Sequence, residues 1–437
     1  MKTALDNFFD LTGLKTNVKR EILAGFTTFI SMAYILFVNP EILGASGMDK
    51  GAFFTATALA SAIGCLLMGL LAKYPIATAP SLGINAFFAY SVCIGMNIPW
   101  QTTLAGVFVA SIIFLLITVF KLRELIIDAI PADLKAAISA GIGLFIAFIG
   151  LQGGGLIVAN KSTLVGLGSF SGSTWVTVFG LIVVSILMVM RVPGAIFIGM
   201  VLSAIFGIAT GNIQMPHAFV APAPSMDQTF LVALSHLKDI NTLQMWVVVI
   251  TFLLVTFFDT AGTLIALAQQ AGFLQNNKMP RVGKALMSDS TAMLFGSLFG
   301  TSPVGAYVES SAGIAVGGRS GLTAVTTGIC FILGLFFSPL LTVATSQVTA
   351  PALIIVGVLM AQSMARITWT KLEIAIPAFL TVAGMPLTYS ISDGLALGFI
   401  AYPITMIAAR KGKEVPALMY VLFFVFVIFF WVLNIEK

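Results

Sequence analysis

The chain is a succession of long apolar runs separated by short polar breaks. The runs fall at 22–40, 52–72, 76–96, 101–120, 134–151, 174–190 and 195–211, then at 244–268, 284–299, 302–317, 322–344, 351–365, 370–388 and 391–409, with a last one at 416–435. Most are close to the roughly 20 residues that a helix needs to cross a hydrocarbon core about 30 Å thick. Fourteen spans are therefore predicted in two sets of seven, and the run 416–435 is either a fifteenth span or a segment lying along the bundle. Residues 1–21 carry Leu5, Phe8, Phe9, Leu11 and Leu14 between charges, the pattern of an amphipathic approach lying in the membrane interface. The chain accordingly divides into this N-terminal piece, a first set within 22–211, a polar, Pro-containing extracellular linker at 212–243, a second set within 244–410, and a C-terminal hydrophobic segment at 411–437.

Each set opens on one long run and has a Gly/Pro/Ser-interrupted segment in third place, 80-PSLGINAFFAY-90 in the first and 302-SPVGAYVESSAG-313 in the second. A shift of 222 residues, the difference between Gly305 and Gly83, also lays run 22–40 on 244–262. Because seven is odd, the two halves have opposite orientations, and paired interrupted segments in such halves point to a binding site near the midplane of a secondary transporter. In the second half Ser302, Pro303 and Gly305 obstruct a continuous helix. Ala306 to Val316 is long enough for only half a crossing. The expectation is a half-helix starting near the midplane, with its free N–H groups and positive end beside Glu309, around a protein-lined cavity.

Composition agrees. With 59% hydrophobic and 9% charged residues and a mean hydropathy of +1.05, the chain is a polytopic membrane protein and not a water-soluble globule. The net charge of +5 does not imply nucleic acid. With a cytoplasmic N-terminus, only Lys50, Lys161 and Lys238 lie outside, Lys437 is unassigned, and the rest of the 22 Lys and Arg lie inside, a strong positive-inside bias. Cys65, Cys93 and Cys330 all fall in apolar segments, so neither a disulfide framework nor a metal spacing exists. His217 and His236 share one loop and match no metal-ligand spacing. Lys15, Lys19 and Arg20 before an apolar run resemble a signal peptide, but the run is too long and many spans follow. No cofactor is expected.

Three acids fall within spans: Asp259, Asp289 and Glu309. Asp259, in 255-VTFFDTAGT-263, stands near the middle of its run and faces the bundle interior, since a charge facing lipid there costs about 3 kcal/mol or more. Asp289, close after Lys284, is read as structural or facing water. Asp259 and Glu309 are the pair that carries chemistry, one of them able to hold a proton as a proton-coupled carrier requires. Asn85 adds an amide near the start of the first half-helix. Phe87, Phe88, Phe26, Phe29 and Tyr307 supply aromatic faces. Aromatic walls with carboxylates, an amide and free backbone N–H groups suit a flat neutral heterocycle bearing ring donors and acceptors.

The stretches 26-FTTFISMAYILFVNP-40, 79-APSLGINAFFAY-90, 257-FFDTAGTLIALA-268 and 301-TSPVGAYVESSAGIAVGGRSGLTA-324 resemble the AzgA-like purine-base permeases, a branch of the nucleobase–ascorbate (xanthine/uracil permease) transporters. The likeness runs from about residue 15 to 410. It implies an all-α polytopic membrane protein with the UraA-like 7+7 inverted-repeat fold, a core domain of 22–120 plus 244–344, a gate domain of 134–211 plus 351–410, and short strands before half-helices 3 and 10. It also implies import of adenine, guanine or hypoxanthine by proton symport, elevator-type motion, a homodimer, and a place in the plasma (inner) membrane. Residue by residue, Asp259 and Glu309 take the substrate-binding and proton-coupling acid positions, and Asn85 the polar position of span 3. Phe87, Tyr307, Gly305 and Thr263 complete the expected substrate-binding set. One departure is Thr256, where the branch often carries a second Asp one turn before Asp259. The alternatives are a uracil or xanthine permease of the sister branch and an anion carrier of the same fold, against which the lack of Arg or Lys near Glu309 argues. An intramembrane aspartyl enzyme leaves the interrupted repeats unexplained, and a channel suits one occluded site poorly.

Overall fold

Nearly every apolar run becomes a helix, because backbone in hydrocarbon must satisfy its own N–H and C=O groups. The computed structural model describes residues 4–120, 130–273 and 279–435. Lys2, Lys121, Arg123, Lys278 and Lys437, which enter the charge reading, lie outside the described residues. Spans 1 to 7 are Val18–Gly44, Lys50–Ala72, Leu82–Gly95, Trp100–Val119, Ala132–Gly153, Gly172–Val189 and Ala195–Ala209. Spans 8 to 14 are Leu243–Gln270, Val282–Phe299, the short helix Ser310–Ala315, Gly321–Val343, Ser346–Arg366, Leu372–Thr388 and Ile391–Ala408. Among the described residues, nine helices are long and apolar enough to cross a membrane on their own. The final helix, Ala417–Ile435, packs along spans 14 and 8, with Phe426 stacked on Phe399 at 5.5 Å.

Packing separates the spans into two groups. Spans 9 and 11 pack on spans 2, 4 and 1, and span 8 packs on span 4, while spans 12, 13 and 14 pack on span 5 and span 12 on spans 6 and 7. Small residues allow the closest approaches. A Cβ on Gly357 of span 12 would come within 2.4 Å of the Gly143 carbonyl of span 5, so any side chain there forces the two helices apart.

Two interrupted segments meet where strand β1 (Thr78–Pro80) pairs antiparallel with strand β4 (Val304–Ala306), in the register Thr78 to Ala306, Ala79 to Gly305 and Pro80 to Val304. The Ser81 amide donates to Pro303 O at 3.0 Å and the Tyr307 amide to Ala77 O at 2.9 Å, so the backbone groups freed by the breaks satisfy each other. This corrects the expected half-helix at Ala306 to Val316. Ala306 belongs to a strand, Val308 and Glu309 form a turn, and only Ser310–Ala315 is helical. In span 3 the α-helix Leu82–Ala86 continues as a π-helix over Phe87–Gly95. The all-α reading also lacked a second hairpin, β2 (Ile157–Asn160) with β3 (Leu164–Leu167), in the connection between spans 5 and 6. Its turn is held by Asn160 Oδ1, which accepts from the amides of Ser162 and Thr163.

A further correction concerns residue 21. Placed by sequence in the interfacial N-terminus, Glu21 lies inside the first helix of span 1 and is fully buried. Its Oε1 accepts from the Arg319 amide at 2.9 Å, and its Oε2 accepts from the Ser320 amide at 3.1 Å, Ser320 Oγ at 2.8 Å and Thr323 Oγ1 at 2.6 Å. The carboxylate thus caps span 11 and ties it to span 1. Replacing Glu21 by Ala strands four donors and is expected to lower stability by about 3 kcal/mol or more. Thermal unfolding of the purified protein checks this, with Glu21→Gln, which keeps one acceptor, losing less; equal unfolding temperatures for Glu21→Ala and the parent would refute it.

Candidate functional site at the crossing strands

The crossing of β1 and β4 brings both candidate acids to one strand pair: Asp259 bonds the residue after β1, and Glu309 follows β4 by three residues. Asp259 projects from the middle of span 8, and Ser81, the residue after β1, donates to its Oδ2 at 2.7 Å. Gly305 is the point of closest approach: a Cβ there would sit 3.2 Å from Thr260 Oγ1 and 3.9 Å from Asp259 Oδ2. Glycine therefore lets the strand pass close to the Thr260 hydroxyl, next to the acid. Glu309 precedes the short helix of span 10 without capping it through its side chain. Its Oε1 instead accepts from Tyr34 Oη at 2.5 Å. Tyr34 sits at the break in span 1, between Val18–Met32 and Ile35–Gly44. Glu309 and Asp259 lie within electrostatic reach of each other, and Tyr307 within reach of both.

The remaining candidates divide. Asn85 is fully buried, one turn after Ser81, and Ser302 Oγ donates to its Oδ1. Tyr307 is buried and its Oη donates to Pro80 O at 2.7 Å, so its hydroxyl secures β1. Thr263 lies one turn beyond Asp259 and is partly exposed. Phe87 and Phe88 are fully buried against Phe252, with ring centroids at 5.0 and 6.3 Å, and pack span 3 on span 8. Phe29 packs edge-on against Phe331 and Phe26 is 51% exposed, so the structure does not gather these rings around the acids. Asp289 is fully enclosed and does not reach water.

Sequence reading missed Tyr34, Ser81 and Ser302. A tyrosine in an apolar run reads as packing and a serine beside a proline as turn chemistry; the fold brings Tyr34 to Glu309, Ser81 to Asp259 and Ser302 to Asn85. Among the described residues no group of three or more His, Cys, Asp or Glu could hold a metal ion. A cavity of about 310 Å³ lies elsewhere, between the end of span 1, Tyr90, span 5 and span 12, with the Glu41–Lys50 ion pair at its edge. Neither Asp259 nor Glu309 lines it.

Comparison with known proteins agrees with this geometry. The Permease family of xanthine/uracil permease type matches residues 19–397. The guanine/hypoxanthine permease PbuG of Bacillus subtilis is 54% identical over 436 residues, covering 98% of this chain and 99% of that protein. The adenine permease AdeP of Escherichia coli is 40% identical, covering 97% and 96%. Among solved structures, the transmembrane domain of the cyanobacterial bicarbonate transporter BicA superposes with a TM-score of 0.61 over 90% of this chain and 97% of that one, at 16% identity, a likeness of fold alone. Inverted repeats crossing at paired strands, two acids at that crossing and relatives matched over nearly their full length lead to one conclusion: the chain is a multi-pass membrane permease, not an enzyme, and belongs to the xanthine/uracil permease family.

Proposed function

We propose that this permease imports purine nucleobases, hypoxanthine, guanine or adenine, by proton symport across the plasma membrane. The observation that carries the reading is the pair of acids, Asp259 and Glu309, held at the crossing of β1 and β4 with no Lys or Arg bonded to either among the described residues. Two carboxylates accept the N–H donors of a neutral heterocycle and offer a group to protonate, whereas an anion would call for cationic partners. The names of the guanine/hypoxanthine and adenine permease relatives support the purine class. The homodimer, the cytoplasmic N-terminus and an elevator motion, in which the core spans 1–4 and 8–11 slide against the gate spans 5–7 and 12–14, belong to the same proposal; the separate packing of the two groups supports the last.

Asp259 and Glu309 serve both substrate and proton, so uptake follows the proton gradient. In proteoliposomes, accumulation of labelled hypoxanthine is expected to rise when the outside is made acidic, collapse with a protonophore and ignore replacement of sodium by choline. Sodium dependence with indifference to the protonophore would refute symport with protons. Competition by adenine, guanine, xanthine and uracil tests the substrate class, and preference for uracil would move the chain to the sister branch.

A further inference from the structure

The cavity of about 310 Å³ that neither acid lines lies at the seam between core and gate, with Glu41, Lys50 and Tyr90 on the core side and Ile149, Gly150 and Gly153 of span 5 on the gate side. Three helices lead to it from the acids. In span 1, Tyr34 bonds Glu309, and Glu41 follows Tyr34 by seven residues along the helix Ile35–Gly44. Ahead of span 3, Ser81 bonds Asp259, and Tyr90 follows Ser81 by nine residues. In span 5, Ile142 and Ile146 face Gly83, where a Cβ would come within 2.4 and 3.7 Å of them, and Ile149, Gly150 and Gly153 follow toward the same end. At 1.5 Å per residue the cavity stands roughly 10 Å beyond the acids. Spans 1, 3 and 5 are odd-numbered and run the same way, and with a cytoplasmic N-terminus their cavity end is the outer one. An imported substrate meets the cavity first.

Rings fill the seam between the two levels. Tyr389, in the link between spans 13 and 14, packs on Tyr90, Phe145 and Phe148 with centroids 5.8, 5.5 and 5.9 Å away, and its Oη donates to Gln152 Oε1 at 3.0 Å. The cavity carries the chemistry to hold a base in front of them. Glu41 and Lys50 form an ion pair, and the same two side chains line an adjoining cavity of about 490 Å³. The Lys50 side chain is 50% exposed, and an ion pair so wetted contributes little, so a ligand enters it at little cost. Opened, the pair presents an acceptor beside a donor. Hypoxanthine and guanine carry the complementary edge as a ring N–H beside a carbonyl, and adenine as an amino group beside a ring nitrogen. Tyr90 adds an aromatic wall. We propose that this cavity is a second, outer purine site, in which Glu41 and Lys50 hold the base before the rings around Tyr389 admit it to Asp259 and Glu309. The inference rests on the purine reading and adds a second site to it.

The test is equilibrium dialysis of labelled hypoxanthine against the purified full chain, read as base bound per chain, together with KM and kcat for uptake into proteoliposomes. Compared are the parent, Glu41→Ala, Lys50→Ala and Gly153→Leu. Gly153 lines the cavity and a Cβ there meets only Ser346, at an ordinary 3.7 Å, so leucine fills the cavity while the ion pair stays. The parent is expected to bind a second base per chain more weakly than the first. Each variant should weaken that second site about tenfold or more, the scale of losing a hydrogen bond to a charged group, keep the first, and raise KM more than it lowers kcat. Glu309→Gln should do the reverse, weakening the first site and sparing the second. One base per chain in the parent, as when a lipid chain occupies the cavity, overturns the proposal and leaves the purine reading intact. A second site that survives Gly153→Leu, or both charge variants, unchanged overturns it too, and if the charge variants do not fold, Gly153→Leu decides alone. KM unchanged in every variant puts the cavity off the route and likewise overturns it. No hypoxanthine bound by the parent overturns both readings.

Discussion

Glu309→Gln is expected to abolish purine accumulation. The parent carboxylate receives Tyr34 Oη at 2.5 Å through one oxygen, which leaves the other for a substrate N–H. Glutamine keeps an oxygen for Tyr34, so local packing survives, but its second position becomes a donor that repels the substrate N–H and its amide carries no exchangeable charge. A hydrogen bond to a charged group contributes about 1.5–3 kcal/mol. Losing it alone weakens binding roughly 10- to 150-fold, about 1.4 kcal/mol per tenfold, and the loss of a protonatable group removes coupling as well. The measurement is uptake of labelled hypoxanthine by cells expressing the variant, with its amount in the membrane matched by immunoblot. Concentrative uptake at the parent's level by a correctly inserted variant would sink the assignment. Tyr34→Phe, which leaves the charge but removes its donor, should do less damage.

Much of this arrangement is legible in the sequence because hydrocarbon imposes harsh rules. A backbone with no water to bond must form helices, so apolar runs such as 244–268 and 391–409 mark helices to within a few residues: Leu243–Gln270 and Ile391–Ala408. For the same reason a charge inside a run is conspicuous, and Asp259 and Glu309 stand out at once. What stays hidden is whatever depends on the two halves meeting. Residues alone gave no register for β1 and β4, so the stretch around Ala306 read as helix, and neither the link of Ser81 and Tyr34 to the acids nor that of Ser302 to Asn85 was visible. Glu21 escaped notice because it follows Lys19 and Arg20, a charged cluster that reads as water-facing until Ser320 and Thr323 enclose it. The aromatic residues show the same dependence on the assembled fold: Phe29 and Phe87 pack on Phe331 and Phe252, and Phe26 is half exposed, contacts that no single apolar run displays.

Asp259→Asn should be comparably damaging, for a reason that differs in detail. Ser81 Oγ donates to Oδ2 at 2.7 Å, and a Cβ on Gly305 would stand 3.9 Å from the same oxygen. The other oxygen is left for a ligand. Asparagine has one acceptor oxygen, so it either keeps the Ser81 bond and turns its NH2 toward the substrate donor, or meets the substrate and turns the NH2 toward the Ser81 hydroxyl, which can reverse its own proton to accept. In either case the full charge is gone, and with it the stronger of the two kinds of hydrogen bond. Hypoxanthine binding is expected to fall roughly 10- to 150-fold, the equivalent of about 1.5–3 kcal/mol, and accumulation to be lost. Ser81→Ala provides the contrast: it leaves the carboxylate in place, loosens its orientation and should cost about tenfold or less, the scale of one ordinary hydrogen bond of about 1 kcal/mol. Binding to the purified variants and uptake in matched membranes read both effects. Normal binding and transport by Asp259→Asn would make Asp259 a structural partner of Ser81 and leave Glu309 as the acid that meets the substrate.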